Sequence, residues 1–274
     1  MAISLVGAGA LFATSAAGNN INPALPAGWA ADDILIAHLF TRSSGTGDRF
    51  TSAVGWTSLG ESAEGAINSR HMEFFWKRAA STDVNPTFGY SSGTGGIGSS
   101  LGSYAVVSAW RGVTTAANPF DVVSAVSTIT SSGAGNTITS PSITLTTGGL
   151  TVLKFYGSAD DNALGNPSSP QITAYSSAAY DATIGLDAAL AGTYFVQATS
   201  GATGTHTIVE TLVGFDAAQG FAVAIIPSAS VGRRVKASWA QLAAPDAKRR
   251  TKVSWAELRA PDAQRRIKVS WAQL

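Results

Sequence analysis

Three histidines, His38, His71 and His206, are the only imidazoles in the chain, and no two of them stand in HxH or HxxxH spacing. Cysteine is absent, which removes thiolate ligands, thiol nucleophiles and disulfides. With imidazoles so far apart, neither a transition-metal site nor a metal enzyme is expected. Nucleophilic hydrolysis needs a serine, a histidine and an acid held together, and no Gly-x-Ser-x-Gly elbow stands in a strand-turn-helix setting. Paired carboxylates, the requirement of glycoside hydrolysis, occur at Asp32-Asp33 and Asp160-Asp161. Adjacent residues on a strand point to opposite faces, and adjacent acids on a loop are commonly just solvated. No catalytic residue, metal or cofactor follows from these patterns.

Binding chemistry is better represented. Tyr156, Asp160, Asp161, Asn162, Tyr175 and Tyr180 lie in or beside expected loops. Such rings stack on sugar faces while Asp and Asn accept hydroxyl hydrogen bonds, so these are candidate glycan contacts. The competing reading places the tyrosines in the core and rim of a sandwich. A Ca²⁺ ion on Asp160 and Asp161 would lack an EF-hand loop pattern.

The chain ends in three near-copies of one unit: RRVKASWAQLAAPDAK from Arg233, RRTKVSWAELRAPDAQ from Arg249 and RRIKVSWAQL from Arg265, 16 residues apart (249 − 233, 265 − 249). That period suits one strand plus one turn and is too short for a helix pair. As a strand, the first copy sets Val235, Ala237 and Trp239 on one face and Arg234 and Lys236 on the other. Trp255 opposes Arg250 and Lys252 in the second copy, and Trp271 opposes Arg266 and Lys268 in the third. Ala-Pro-Asp-Ala at 244–247 and 260–263 breaks the units, since proline denies a donor to any ladder. A helical reading stays open because Ala, Gln, Leu and Arg favour helices, but the prolines would cut each helix to about two or three turns. The three tryptophans, with their flanking Arg and Lys stems, are expected to pack on neighbouring repeats or subunits.

Charge separates this tail from the rest. Residues 233–274 hold 11 Lys or Arg against 3 acids, so 11 − 3 = +8; the preceding residues hold 18 − 11 = 7 against 17 − 3 = 14, a charge of −7. This asymmetry marks an interaction tail. Nucleic acid is a poor fit, because a disordered basic arm has no need of strand register with tryptophan on the opposite face.

The elements that would position these groups read as strands. Small residues dominate, charged residues make up 13%, and the expected architecture is all-β: a jelly-roll-like β-sandwich over residues 1–230, followed by short C-terminal β-strand repeats over 231–274. Strands are expected at ISLVGAG, at Asp32 to Phe40 and at His71 to Arg78, with a small-polar loop from Ser43 to Asp48 leading to Val54-Gly55-Trp56 between the last two. Further strands are expected at Ser103 to Trp110, Ser142 to Thr146, Leu150 to Tyr156, Thr193 to Ala198, Thr205 to Thr211 and Gly220 to Ile226. The continuous apolar run from Ile34 to Phe40 implies burial on both faces, with His38 a satisfied core or edge residue. Alternation from His71 puts Glu73 and Phe75 on its face and Met72, Phe74 and Trp76 on the other. The apolar N-terminus lacks the positive charge of a secretory signal, the first arginine being Arg42, and no run of about 20 apolar residues suggests a membrane span. Gly7-Ala-Gly9 lacks the third glycine of a dinucleotide loop.

The order of short motifs resembles a β-sandwich protein of tailed-phage and prophage structural regions. Pro26-x-Gly28, the AADDILIAHLF strand, Gly55-Trp56-Thr57, Phe75-Trp76-Lys77-Arg78-Ala79, and Ala109-Trp110-Arg111-Gly112 followed by Asn118-Pro119-Phe120-Asp121 carry the resemblance. The SWAQL and SWAEL units resemble C-terminal repeats of similar phage-encoded proteins. The resemblance implies a non-enzymatic virion protein, made in the host cytoplasm and carried on the particle surface. Its expected partners are other virion proteins and copies of itself, a trimer being preferred, with host surface polysaccharide as a further candidate. A tail fibre or tail-tip component engaged in host attachment is the first expectation; a head-surface decoration protein and a glycan-binding adhesin are the alternatives.

Overall fold

A computed structural model describes residues 2–14, 20–43, 49–61, 70–91, 100–124, 127–130, 137–159, 162–181, 186–210 and 217–228. The chain divides into two units, Met1–Ser230 and Val231–Leu274, and every described residue belongs to the first. The C-terminal repeats therefore lie outside the described residues.

The first unit is an all-β sandwich, with no helix among the described residues. Its first half contributes β1 (Ser4–Ala8), β2 (Phe12–Thr14), β3 (Ile34–Ser43), β4 (Arg49–Thr51), β5 (Thr57–Glu61), β6 (Arg70–Arg78), β7 (Gly89–Ser91) and β8 (Ser100–Arg111). The second half contributes β9 (Phe120–Val123), β10 (Ser127–Thr130), β11 (Thr137–Ser140), β12 (Thr144–Leu145), β13 (Leu150–Ser158) and β14 (Leu164–Gly165). It continues through β15 (Ile172–Asp181), β16 (Leu186–Gln197), β17 (Gly201–Ala202), β18 (His206–Glu210) and β19 (Ala217–Ile225).

Each half forms its own six-stranded sheet, and the two sheets have the same plan. The first runs β1-β8-β3-β6-β5 with β2 also on β8; the second runs β10-β19-β13-β16-β15 with β9 also on β19. The register agrees at the level of single residues. A bulge interrupts β5 against β6 between Ser58 and Gly60, and one interrupts β15 against β16 between Thr173 and Tyr175. Aligning these bulges equates Phe74 with Gly192, hence His38 with Phe155 and Val106 with Phe221 through the next pairings. The outer bulges, at Leu5/Gly7 on β1 and opposite Ala224/Ile225 beside β9, equate Trp110 with Ile225 and so give the same alignment independently. Turns correspond as well: Trp56 N donates to Ala53 O, and Gln171 N to Ser168 O. Asp32 and Gly149 occupy equivalent sites at φ 72° and 78°, a left-handed conformation costly for residues other than glycine. The small ribbons covering the sheets match too, β4 pairing β7 as β14 pairs β18, and the Ile21–Phe88 bridge standing where Ile138 pairs Ile208.

Equivalent faces of the two sheets meet, the arrangement of an isologous dimer fused into one chain. Ile34, Ile36, Phe40, Met72 and Phe74 of the first sheet interdigitate with Leu153, Phe155, Leu190, Phe221 and Val223 of the second. Phe74 stacks on Phe221 at 4.1 Å between ring centroids and lies 5.0 Å from Phe155. The alternation along β6 puts Met72, Phe74 and Trp76 toward this core and Phe75 toward the opposite face. As the apolar run predicts, β3 is buried on both faces, Ile34, Ile36 and Phe40 inward and Leu35, Ala37 and Leu39 outward.

Val54-Gly55-Trp56 forms a turn leading into β5, with Gly55 at φ 77°. Two sequence expectations are corrected. The segment from Ile172 to Asp181 is a strand where a tyrosine-bearing loop was expected; its small residues carry little hydrophobic periodicity, and pairing along all of β16 supplies its order. The strand holding Tyr156 runs on to Ser158 and is buried throughout.

Candidate functional site

Several charged and polar side chains in the described residues hold the fold. Asp33, buried at the start of β3, accepts from Arg111 Nε at 2.9 Å and Nη2 at 2.7 Å and from Ala30 N at 2.8 Å. This bidentate clamp ties β3 to the end of β8 and engages both carboxylate oxygens of Asp33. Lys77 pairs with Asp83 at 2.5 Å.

His38 is a satisfied core histidine. It is fully buried in the shared core, with Nδ1 2.7 Å from the Tyr175 hydroxyl and Nε2 3.0 Å from Met72 Sδ. Sulfur only accepts, so Nε2 carries the proton and Nδ1 accepts from Tyr175. Desolvation lowers the His38 pKa to about 3 and raises that of Tyr175.

Two of the candidate glycan residues, Tyr156 and Tyr175, are committed to the interior. Tyr156 is fully buried on the central strand β13, beneath Ile138, Leu164 and Ile208 of the small covering sheet. Its hydroxyl donates to Gln171 Oε1 at 2.6 Å, which also accepts from Thr193 Oγ1 at 2.5 Å. Gln171 Nε2 in turn donates to Thr207 O at 3.0 Å. A buried ring with its hydroxyl engaged this way cannot stack on sugar, so the sequence reading of Tyr156 as a contact residue fails. Tyr175 packs against the shared core and its hydroxyl is taken by His38, which withdraws it from that role too. Asn162 is buried. Tyr180 pairs with Asp187 in the β15–β16 ladder, while Asp160 and Asp161 lie outside the described residues. So do Trp239, Trp255, Trp271, Arg234, Arg250, Arg266, Lys236, Lys252 and Lys268.

One cluster unites groups that sequence spacing kept apart. Glu61 ends the edge strand β5 and pairs with Glu73 of β6, and His71 is two residues before Glu73, on the same face. Their donor atoms lie within 4.8 Å of one another: His71 Nε2 is 3.4 Å from Glu73 Oε2 and 3.9 Å from Glu61 Oε2. His71 and Glu73 are buried, their side chains 1% and 6% exposed, whereas that of Glu61 is 39% exposed. Backbone and side-chain donors orient the carboxylates, Phe50 N to Glu73 Oε2 at 2.9 Å and Arg49 Nη1 to Glu61 Oε1 at 2.8 Å. The signal for this site was present in the alternation of His71-x-Glu73; what was missing was the partner strand that brings Glu61 alongside.

No helix long and apolar enough to cross a membrane occurs among the described residues. Comparisons with protein-family models, curated proteins and solved structures find no match.

Proposed function

We propose that the chain is a non-enzymatic structural protein of a tailed-phage particle, in which the sandwich is the displayed body and the basic repeats are the assembly device. The observation that carries this reading is the three-fold 16-residue repeat, with tryptophan at 239, 255 and 271, appended to an acidic body. Repeats at fixed spacing turn several weak contacts into one strong one, and tryptophan faces are well suited to burial between copies. A body charge of −7 beside a tail of +8, from the same counts of 14 acids against 7 bases and 11 bases against 3 acids, favours contact between one copy's tail and acidic surfaces on others or on the particle. The structural use of polar groups in the described part of the body fits a scaffold better than a catalyst. The resemblance to phage structural proteins supplies the setting, with a tail fibre or tail-tip component preferred over a head decoration protein.

Light scattering after size exclusion tests the reading on the full chain and on a chain ending at Gly232. A discrete oligomer for the first, with a trimer preferred, and a monomer for the second is the expected result. Two monomers would contradict self-assembly through the repeats.

A further inference from the structure

We infer that Glu61, His71 and Glu73 form a binding site for a single divalent transition-metal ion, with Zn²⁺ the best-matched ion. One imidazole nitrogen and two carboxylate oxygens are ligands suited to first-row divalent ions. Mg²⁺ and Ca²⁺ require an all-oxygen shell of six or more donors, which a buried histidine does not help to build. In a tetrahedral shell with bonds of about 2.1 Å, neighbouring donors are about 3.4 Å apart. His71 Nε2 and Glu73 Oε2 stand at that separation, 3.4 Å. Glu61 Oε2, at 3.9 Å from the same nitrogen, is on the exposed member of the set and closes the remaining gap by a small side-chain movement.

The surroundings are those of a supported site. Phe50 N fixes the Glu73 carboxylate, and Arg49 holds the distal oxygen of Glu61 so that Oε2 faces the histidine. Such outer partners orient ligands and raise affinity. The exposed side of Glu61 leaves room for a solvent ligand. Binding would pin the end of the edge strand β5 to β6, stabilising the folded chain in proportion to occupancy.

The internal symmetry makes the inference sharper. Alignment by the shared bulges puts Ser176, Ala189 and Ala191 in the second half at the places of Glu61, His71 and Glu73. Those residues offer no ligand set, so among the described residues the two halves of one design supply a single ion site.

Calorimetric titration of the chelator-treated full chain with Zn²⁺, paired with thermal unfolding in Zn²⁺ and in Mg²⁺, tests this directly. One ion per chain and a melting temperature raised by Zn²⁺ but not by Mg²⁺ are expected. Glu61→Gln, an exposed and nearly isosteric change, should weaken binding by at least about tenfold, the loss that follows even from removing an outer-sphere partner. His71→Gln should abolish it, and if that buried variant fails to fold, Glu61→Gln decides alone. Absence of stoichiometric binding, two ions per chain, or Zn²⁺ affinity unchanged in Glu61→Gln would overturn the assignment; the first outcome leaves a plain His–Glu contact, the last an ion held elsewhere.

Discussion

The two halves of the sandwich share their strand order, register and bulges but finish their outer faces differently. Over the first sheet the covering layer is aromatic: Trp56 and Phe75 pack on Phe88, with ring centroids 5.3 and 5.1 Å away. The equivalent positions in the second half hold Gln171, Thr193 and Ile208, with Lys154 and Tyr156 in place of Ala37 and Leu39. One face is therefore held by dispersion and hydrophobic burial, the other by a hydrogen-bond network around the Gln171 amide. The backbone plan tolerates both solutions, because the ladder fixes where side chains meet and leaves open which chemistry fills the space.

Breaking the network should have the largest effect. Gln171→Leu leaves the buried Tyr156 and Thr193 hydroxyls without their shared acceptor, at about 1–3 kcal/mol each, so chemical denaturation should show a loss of about 2–6 kcal/mol. At the equivalent Trp56 an apolar change strands no polar partner, and its cost is set by the ring volume lost against Phe88.

Lys154 sharpens the contrast in the opposite direction. It is fully enclosed, its ammonium donates to Pro141 O, and desolvation lowers its pKa to about 8 from 10.5. Between those values the unfolded chain binds the proton more than the folded chain does, so stability rises with pH from about 8 to 10.5. Lys154→Met removes the burial penalty, worth at most about 3 kcal/mol, and forfeits one hydrogen bond of about 1 kcal/mol. Thermal unfolding at pH 7 should show a gain of about 2 kcal/mol, and the alkaline rise should vanish.

The smallest effect at neutral pH is expected from His38→Phe, which writes the second half's Phe155 into the equivalent site of the first. Loss of the Tyr175 partner costs about 1 kcal/mol at pH 7. With its pKa lowered from 6.5 to about 3, His38 takes up its proton more readily in the unfolded chain. Wild-type stability is thus whole above pH 6.5 and falls as pH drops toward about 3. The variant should lose this contribution to the acid limb, as unfolding curves across that range would show.

Much of the body was legible in the sequence. The apolar run at Ile34 to Phe40 and the alternation at His71 to Trp76 fix two strands and their faces, because period-2 patterning survives wherever one or both faces are buried. The duplication was hidden, for a reason visible in the core. Gly60 stands beside Phe74 across one bulged pair, and Tyr175 beside Gly192 across the other. Large and small residues have exchanged strands between the halves. A Cβ on Gly192 would come within 2.4 Å of the Tyr175 ring, and one on Gly157 within 2.9 Å of Phe40 at the equivalent position of the other half. Two identical surfaces cannot both be large where they meet, so packing drives the halves apart in sequence while preserving the backbone. Equivalent pairs that do match, such as Ile21 with Ile138 and Ala109 with Ala224, are too ordinary to register as a repeat. The candidate metal site was half legible for a related reason: alternation gives His71 and Glu73 one face, but only the sheet register delivers Glu61.

Hydrogen exchange of the backbone amides in the central strands tests most directly whether the halves are one structure around one interior. Amides of β3 and β13 should exchange with the same free energy, equal to that of global unfolding, and both should lose protection together in Phe74→Ala, whose ring bridges the sheets. Protection in one sheet well below that of the other, or a Phe74→Ala effect confined to the first half, would contradict a shared core and leave two sheets that merely lie in one chain.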